Sequence, residues 1–433
     1  MEKLYSLFKQ STGICTDTRK VKKGSLFVAL KGANFDGNLF ASDALSKGAL
    51  VVVIDDADIA DSLDNDSFIL VNDGLNSLQD LASYHRNQLN IPIIGITGTN
   101  GKTTTKELCH AVLSTEFKCY ATKGNLNNHI GVPLSLLEVT QGHDLAIIEM
   151  GANHQGEIAD LCKIAKPTIG IITNIGKAHL EGFGSFANIV LTKNELYSSV
   201  IDAKGTILYN LDDTLLVNLI GDYKITFSYS RTFKNSDFFY ELGSNEICAG
   251  VIFDKIKVDS KLFGGYNGEN IACAIALAIK MNVSKEGIVQ GIENYEPGNN
   301  RSQLVSTSSN DLILDAYNAN PSSMLNAVGE FLNLESAQEK ILILGDMLEL
   351  GSFSDFEHQK LVNEISSKRS SFAHCHLVGK EFQQCKVAKD QGVSVHASVQ
   401  ELKNIIINSP LNGNLIFLKG SRGIKLEELI DLL

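Results

Sequence analysis

The sequence predicts an α/β protein of three domains, and three observations carry that class. Short apolar, β-branched runs alternate with helical stretches, as they do where strands of a parallel sheet are buried on both faces. One of these runs, Ile91 to Thr97, leads through a glycine turn directly into a helical pattern, which is the layout of a phosphate-binding loop. The alternation then starts afresh after residue 299, in a chain whose 433 residues exceed what a single core accommodates.

The expected divisions are 1–84, 85–298 and 299–433. In the first, Ser25–Leu30, Ala49–Ile54 and Phe68–Val71 read as strands. Helices are expected at Phe40–Lys47, ending at Gly48, and at Leu75–Gln88, before the Pro92 boundary. The second division carries strands at 91–97, 145–150 and 168–173. It becomes β-rich beyond 205 (206–209, 224–229, 247–258) and closes with the alanine-rich helix 268–281. In the third, strands at 311–315, 340–344, 376–378 and 414–418 alternate with helices at 322–333, 356–367, 400–408 and 425–432.

Composition narrows the function classes. A net charge of −12 argues against an extended basic face for nucleic acid, while leaving room for local donors to small anions. No apolar run reaches the roughly 20 residues that span a bilayer, and polar residues interrupt the N-terminus too early for a signal-peptide core. A cytoplasmic protein without membrane insertion is the expectation. The eight cysteines form no CxxC pair and read as structural thiols. In His374-Cys-His376, a strand would turn the two histidines to one face and the cysteine to the other, so sheet packing is preferred to metal binding.

The chemistry centres on Gly98-Thr-Asn-Gly-Lys-Thr-Thr104. Backbone N–H groups and the helix N-terminus would face phosphates, Lys102 would neutralise charge, and a threonine hydroxyl would serve Mg²⁺. The usual first glycine is Ile96 here, with glycines at 95 and 98, so the loop is a variant. Glu149 ends an otherwise apolar strand, where it is either a magnesium ligand or a capping, solvated carboxylate. His179 follows the strand 168–173 and is either a site residue or a structural hydrogen-bonding group. Lys193 lies on a helix and by residue type alone is a solvated lysine. Further polar loops follow strands at 315–324, 344–351 and 419–423.

Taken together these segments resemble the Mur ligase family, over nearly the whole chain. The resemblance rests on Gly95-Ile-Thr-Gly-Thr-Asn-Gly-Lys-Thr-Thr104 with its displaced glycine, and on Thr16-Asp-Thr-Arg19 with the strand after it. It extends through Asn125-Leu-Asn-Asn128, Glu149-Met-Gly-Ala-Asn-His154, Ala178-His-Leu-Glu-Gly182, Asp315-Ala-Tyr-Asn-Ala-Asn-Pro321, Gly345-Asp-Met-Leu-Glu-Leu-Gly351 and Lys419-Gly-Ser-Arg422. The pattern is closest to the branch that adds a D-alanyl-D-alanine dipeptide. The branch adding the third peptide residue typically carries Asp-Asn-Pro-Arg in its C-terminal lobe, which is absent here.

The resemblance implies a UDP-sugar domain, a central ATPase and a Rossmann-like C-terminal lobe. It also implies ATP and Mg²⁺ as cofactors, UDP-N-acetylmuramoyl-tripeptide and D-alanyl-D-alanine as substrates, and a monomer. Carried over by position, Gly98, Thr99, Asn100, Gly101, Lys102, Thr103 and Thr104 hold the nucleotide phosphates. Thr103 and Glu149 hold a first Mg²⁺, and His179 a second. Lys193 matches a lysine that the family carbamylates, which would turn a cation into an oxygen ligand; Asn194 stands beside it where glycine is frequent. Lys102, Glu149, His179 and Lys193 form the implied catalytic set. Asn267 and Asn270 flank the adenine, Arg301 reaches the phosphates from the far lobe, and Tyr317 and Asn318 line the nucleotide. Thr18 and Arg19 are the candidates for the UDP moiety, Asn125 and Asn128 for the peptide end, and Asp346, with His358 nearby, for the dipeptide.

Overall fold

The protein is described by a computed structural model covering residues 1–244, 247–387 and 392–433. Its first sheet is parallel, in the order Ile14–Cys15, Leu26–Val28, Val51–Ile54, Phe68–Leu70. The two inner strands are uniformly apolar and buried, which is why they read as continuous hydrophobic runs. The two-residue strand Ile14–Cys15 was not anticipated; it is too short to show periodicity.

The helix Gly74–Arg86, capped by the Asp73 side chain on Asn76 N–H, runs out of this unit onto the next. Its last residue, Arg86, donates from Nε to Ala165 O (2.9 Å) and from Nη2 to Lys166 O (3.2 Å), occupying carbonyls at the C-terminus of the helix Glu157–Ala165. The division expected at 84/85 therefore falls inside a helix. One apolar core joins Leu26, Val53 and Leu81 to Ile93, Leu136, Ile148 and Leu161, so the first two units share an interior.

The second sheet has seven parallel strands, in the order Phe238–Phe239, Thr226–Ser230, Thr206–Asn210, Ile169–Ile172, Ile93–Thr97, Leu145–Glu149, Cys119–Ala121. Ile93–Thr97 is an inner strand, flanked on both sides, and Ile93, Ile94 and Ile96 are fully buried. Each such side chain contributes about 1.5–3 kcal/mol relative to exposure. Ile96 pairs with Glu149 and Thr97 with Ile172, so three strands end at one level. The chain leaves Ile93–Thr97 toward one side of the sheet and later returns on the other, and this switch point opens a crevice at the carboxyl ends.

The helix Asn267–Lys280 lies against the helix Lys102–Leu113, with Ala272, Ala274, Ala276 and Ala278 all fully buried, as close approach requires. The run expected to be β-rich at 247–258 is a hairpin, Cys248–Phe253 with Ile256–Phe263, turned by Asp254 and Lys255 at positive φ. Glu241–Ser244 completes that antiparallel sheet.

The C-terminal sheet runs Gln303–Ser306, Asp311–Asp315, Asn414–Lys419, Glu339–Gly345, His374–Val378, Val393–His396, parallel except for its first strand. Both edge strands escaped sequence reading because their burial is mixed. The terminal segment expected to be an α-helix is 3₁₀ over Leu426–Leu432. His376 Nδ1 lies 3.0 Å from His396 Nε2, and Cys375 is buried on the opposite face. Burial, with two histidine neighbours, brings His376 down to about 3. No helix among the described residues is long and apolar enough to cross a membrane.

Candidate active site

A cleft of about 1320 Å³ opens at the carboxyl ends of the seven-stranded sheet. Its walls come from all three units: Gln79 and Ser83 from the first, the loops of the second, and Arg301, Tyr317 and Asn320 from the third. The loop Gly98–Gly101 forms its floor. Gly98 has φ 149° and a side chain there would meet Thr173 Oγ1 at 2.0 Å; Gly101 has φ 77° and would meet Asn270 Oδ1 at 2.4 Å. Both positions need glycine twice over, for conformation and for space.

The loop is held from beneath by the strand-end segment 173–176. Thr99 N–H donates to Asn174 O (2.9 Å), Asn100 N–H to Asn174 Oδ1 (3.0 Å), and Thr173 Oγ1 to Asn100 O (2.6 Å). Lys102 Nζ folds back to donate to Gly98 O (2.8 Å) and Thr99 O (3.0 Å). Burial lowers its pKa, Glu149 opposes that shift, and Arg301 adds to it. A half-buried ammonium whose direct partners are two carbonyls of its own loop is suited to an entering phosphate.

Glu149 is buried, and its Oε1 accepts from Thr103 Oγ1 (3.1 Å) and Asn127 Nδ2 (2.8 Å). Its Oε2 is buried with no hydrogen-bond partner among the described residues. A carboxylate oxygen so placed, beside a threonine hydroxyl, fits a hard cation. Among the described residues no cluster of three or more His, Cys, Asp or Glu side chains could hold a metal ion. Magnesium at a nucleotide site takes most of its ligands from phosphate and water, so one carboxylate and one hydroxyl are the protein's usual share.

Thr103 and Glu149 are thus joined, and His179 lines the same cleft without touching either, engaging the C-terminal lobe instead. It sits at φ 50°, and its Nδ1 hydrogen-bonds the Glu349 carboxylate of the C-terminal lobe. Burial lowers the His179 pKa against the pull of Glu349, and the cation of Lys102 lowers it further. Lys193 is buried on the helix Phe186–Asp202, its Nζ 5.9 Å from the Phe183 ring centroid, so the reading by residue type, a solvated lysine, is corrected. Burial, aided by the charge of Lys102, brings its pKa down to about 7. An amine half neutral at that pH is a competent nucleophile toward CO₂.

On the far wall, Asn267 Nδ2 donates to Phe263 O (2.8 Å), and Asn270 Nδ2 to Asn267 Oδ1 (2.8 Å). Thr105 Oγ1 donates to Asn270 Oδ1 (3.1 Å), tying this pair to the phosphate-loop helix. The Arg301 guanidinium stacks on the Tyr317 ring at 3.6 Å, with Arg422 at 5.2 Å. Arg301 Nε is buried without a partner among the described residues, and Tyr317 and Asn318 line the cleft.

Asn125 and Asn128 also line the cleft, but the Asn128 side-chain oxygen accepts from Gly131 N–H (2.8 Å) at the start of the helix Gly131–Glu138. Asn127, between them, makes the contact with Glu149 that sequence reading did not assign. Asp346 does not face the cleft. It is buried and accepts from Glu381 N–H (3.0 Å) and Phe382 N–H (3.1 Å), so its carboxylate orders the 379–382 turn. His358 joins Ser354 O (2.8 Å) to Met347 N–H (3.0 Å) and is likewise structural. Thr18 and Arg19 lie outside the cleft; Arg19 is exposed and its guanidinium pairs with Asp17. Sequence reading also passed over Lys106, fully buried on the phosphate-loop helix. Its spacing of three from Thr103, on the same helical face, was the available signal.

The chain matches three family profiles: "Mur ligase family, catalytic domain" over residues 10–86, "Mur ligase middle domain" over 96–278, and "Mur ligase, glutamate ligase domain" over 300–422. It is 34% identical to the UDP-N-acetylmuramoyl-tripeptide–D-alanyl-D-alanine ligase of Bacillus subtilis (strain 168), over 96% of this chain and 92% of that protein. The Escherichia coli (strain K12) ligase of the same name is 33% identical over 97% and 93%. A crystal structure of MurF from Acinetobacter baumannii superimposes with a TM-score of 0.85 at 29% identity, covering 100% of this chain and 98% of that one. The fold is also that of MurF ligase from Thermotoga maritima in complex with ADP, at a TM-score of 0.83 and 24% identity, over 98% and 97%. The chain belongs to the Mur ligase family.

Proposed function

We propose that this chain is an ATP-dependent ligase that joins D-alanyl-D-alanine to UDP-N-acetylmuramoyl-tripeptide, yielding ADP and phosphate in cytoplasmic cell-wall precursor synthesis. The observation that carries the reading is the pairing of Thr103 with Glu149 beside a glycine loop, roofed by Arg301 from a second lobe. Full-length relatives named for this reaction support the choice of substrates.

In this reading a tripeptide carboxylate oxygen attacks the γ-phosphorus, and the bond from γ-phosphorus to the β,γ-bridging oxygen breaks to release ADP. The dipeptide amine then attacks the acyl carbon and loses its proton, and phosphate leaves with the electron pair of the C–O bond. A carboxylate must carry such a leaving group before an amine can displace it, and catalysis is then positioning plus charge neutralisation. The amides of Gly98–Thr104 and Lys102 hold the phosphates, and Arg301 closes on them from the far lobe. Thr103 and Glu149 would hold Mg²⁺, with His179 and a carbamylated Lys193 serving a second ion; the metal would neutralise phosphate charge. Asn267, Asn270, Tyr317 and Asn318 take the nucleoside side. Asn125 and Asn128 take the peptide end, and Thr18 and Arg19 the UDP group. Asp346 acts by shaping its lobe. Residues 1–84, 85–298 and 299–433 serve as UDP-sugar, ATPase and closing units of a monomer.

The test is phosphate release by purified protein. Turnover is expected only when ATP, UDP-N-acetylmuramoyl-tripeptide and D-alanyl-D-alanine are all present; equal release without the dipeptide overturns the reading.

A further inference from the structure

Among the described residues Lys106 is the largest charged side chain to be fully buried, and the chemistry above leaves it without a task. It lies one helical turn past Lys102, on the face that carries Thr103. Its Nζ donates to Thr122 O (2.5 Å) and approaches Gly124 O at 3.5 Å, both in the segment that leads into Asn125. It pairs with Glu107 Oε1 at 2.8 Å and stands 3.8 Å from Glu149 Oε2, the oxygen with no hydrogen-bond partner among the described residues. The same segment returns to Glu149 twice more: Glu149 N–H donates to Thr122 Oγ1 (3.1 Å), and Asn127 Nδ2 to Glu149 Oε1 (2.8 Å).

One buried cation therefore touches both the backbone of the segment at the peptide end of the cleft and the carboxylate at its phosphate end. Interior ammonium groups are retained only where charge and carbonyls surround them; here the carbonyls lead into the cleft-lining Asn125, and the farther carboxylate, Glu149, lines the cleft itself. We propose that Lys106 is a positioning residue that couples the two ends: it fastens the Thr122–Asn128 segment in its substrate-ready place and tunes the affinity of Glu149 for a cation. The inference rests on the reading of Glu149 as a magnesium ligand.

The charge arrangement fixes opposite signs for two variants. Removing the Lys106 ammonium strips a repulsive neighbour from any cation at Glu149 and frees the segment at Thr122 and Gly124. Removing the Glu107 charge, on a partly exposed side chain, leaves the Lys106 charge less compensated. The experiment titrates MgCl₂ against binding of a fluorescent ATP analogue to the full chain, with thermal melts to verify folding, and measures the KM for UDP-N-acetylmuramoyl-tripeptide separately. Lys106→Met is expected to lower the Mg²⁺ half-saturation about 3- to 10-fold, while raising the tripeptide KM about 10-fold. Glu107→Gln is expected to raise the Mg²⁺ half-saturation about 2- to 5-fold.

A folded Lys106→Met protein that weakens Mg²⁺ and tripeptide together, or changes neither, overturns the proposal, because a purely structural lysine has no reason to improve cation binding. Should Lys106→Met not fold, Glu107→Gln decides alone, and an unchanged half-saturation overturns it. Wild-type nucleotide binding that ignores Mg²⁺ overturns the metal reading first, and is recognised before any variant is compared.

Discussion

Asn320 Nδ2 donates to Asn100 Oδ1 at 2.7 Å, joining the N-cap of a helix in the C-terminal lobe to the phosphate loop across 220 residues of sequence. Asn320 has a second duty. Its Oδ1 accepts from Ser323 N–H (2.9 Å), and Ser323 answers to Asn320 N–H (3.1 Å), a reciprocal cap on the helix Pro321–Asn333. One side chain thus begins a helix with its oxygen and docks its lobe on the loop with its nitrogen. Lys177 with Glu357 (3.4 Å) adds an ion pair between the same two lobes, and His179 with Glu349 a hydrogen bond.

The two duties of Asn320 can be separated. Asn320→Asp keeps a good cap but sets a carboxylate against Asn100 Oδ1. Thermal stability is expected to stay close to wild type while kcat/KM for ATP falls about 10- to 100-fold, from one lost hydrogen bond and the repulsion between the facing oxygens. Asn320→Ala loses the cap as well, at about 1 kcal/mol, and its melt should show it. Equal activity in Asn320→Asp would remove lobe docking from the mechanism.

Lys102→Ala is expected to reduce turnover by about 10³-fold or more with a normal melting profile, since its present partners are two carbonyls of its own loop. Steady-state phosphate release and circular dichroism check the two halves of that statement. Near-normal activity would exclude the loop from phosphoryl transfer.

Gly101→Ala places a methyl group against the Asn270 side chain at a backbone φ of 77°. Strain of about 1–3 kcal/mol is expected, together with loss of nucleotide affinity as the Thr105–Asn270 contact yields. Denaturant melts and nucleotide titration report the two effects independently.

Lys193 should carry one CO₂. With its amine brought down to about 7, protonation blocks the reaction below that value and the neutral amine is free to react above it. Occupancy is therefore expected to rise between about pH 6 and pH 8 at fixed bicarbonate. Carbon-13 NMR with labelled bicarbonate detects the carbamate directly. Its absence at high bicarbonate and alkaline pH would leave Lys193 as a buried amine only.

Asp346→Asn turns an acceptor of two backbone N–H groups into a group with only one acceptor oxygen. A loss of about 1–3 kcal/mol is expected, with the KM for D-alanyl-D-alanine unchanged. A large rise in that KM at unaltered stability would restore Asp346 to the dipeptide site.

What the sequence alone determined is what local order encodes. Apolar runs buried on both faces announced the parallel strands, and the glycine loop between strand and helix announced a phosphate site, because each signal sits within about fifteen residues. Edge strands such as Gln303–Ser306, half exposed, carried no such pattern. The tertiary structure decided which polar side chain meets which. Nothing in Asn125-Leu-Asn-Asn128 distinguishes Asn127, which holds Glu149, from Asn128, which starts a helix. Asp346 looked like a cleft residue until its strand, paired beside His374–Val378, turned the carboxylate to the backbone at 381–382. Sequence order gives Lys106 no role beyond its place on the phosphate-loop helix. Only the packing of the helix Lys102–Leu113 over the strand ends makes it a buried cation, because burial and charge pairing arise from segments far apart in the chain.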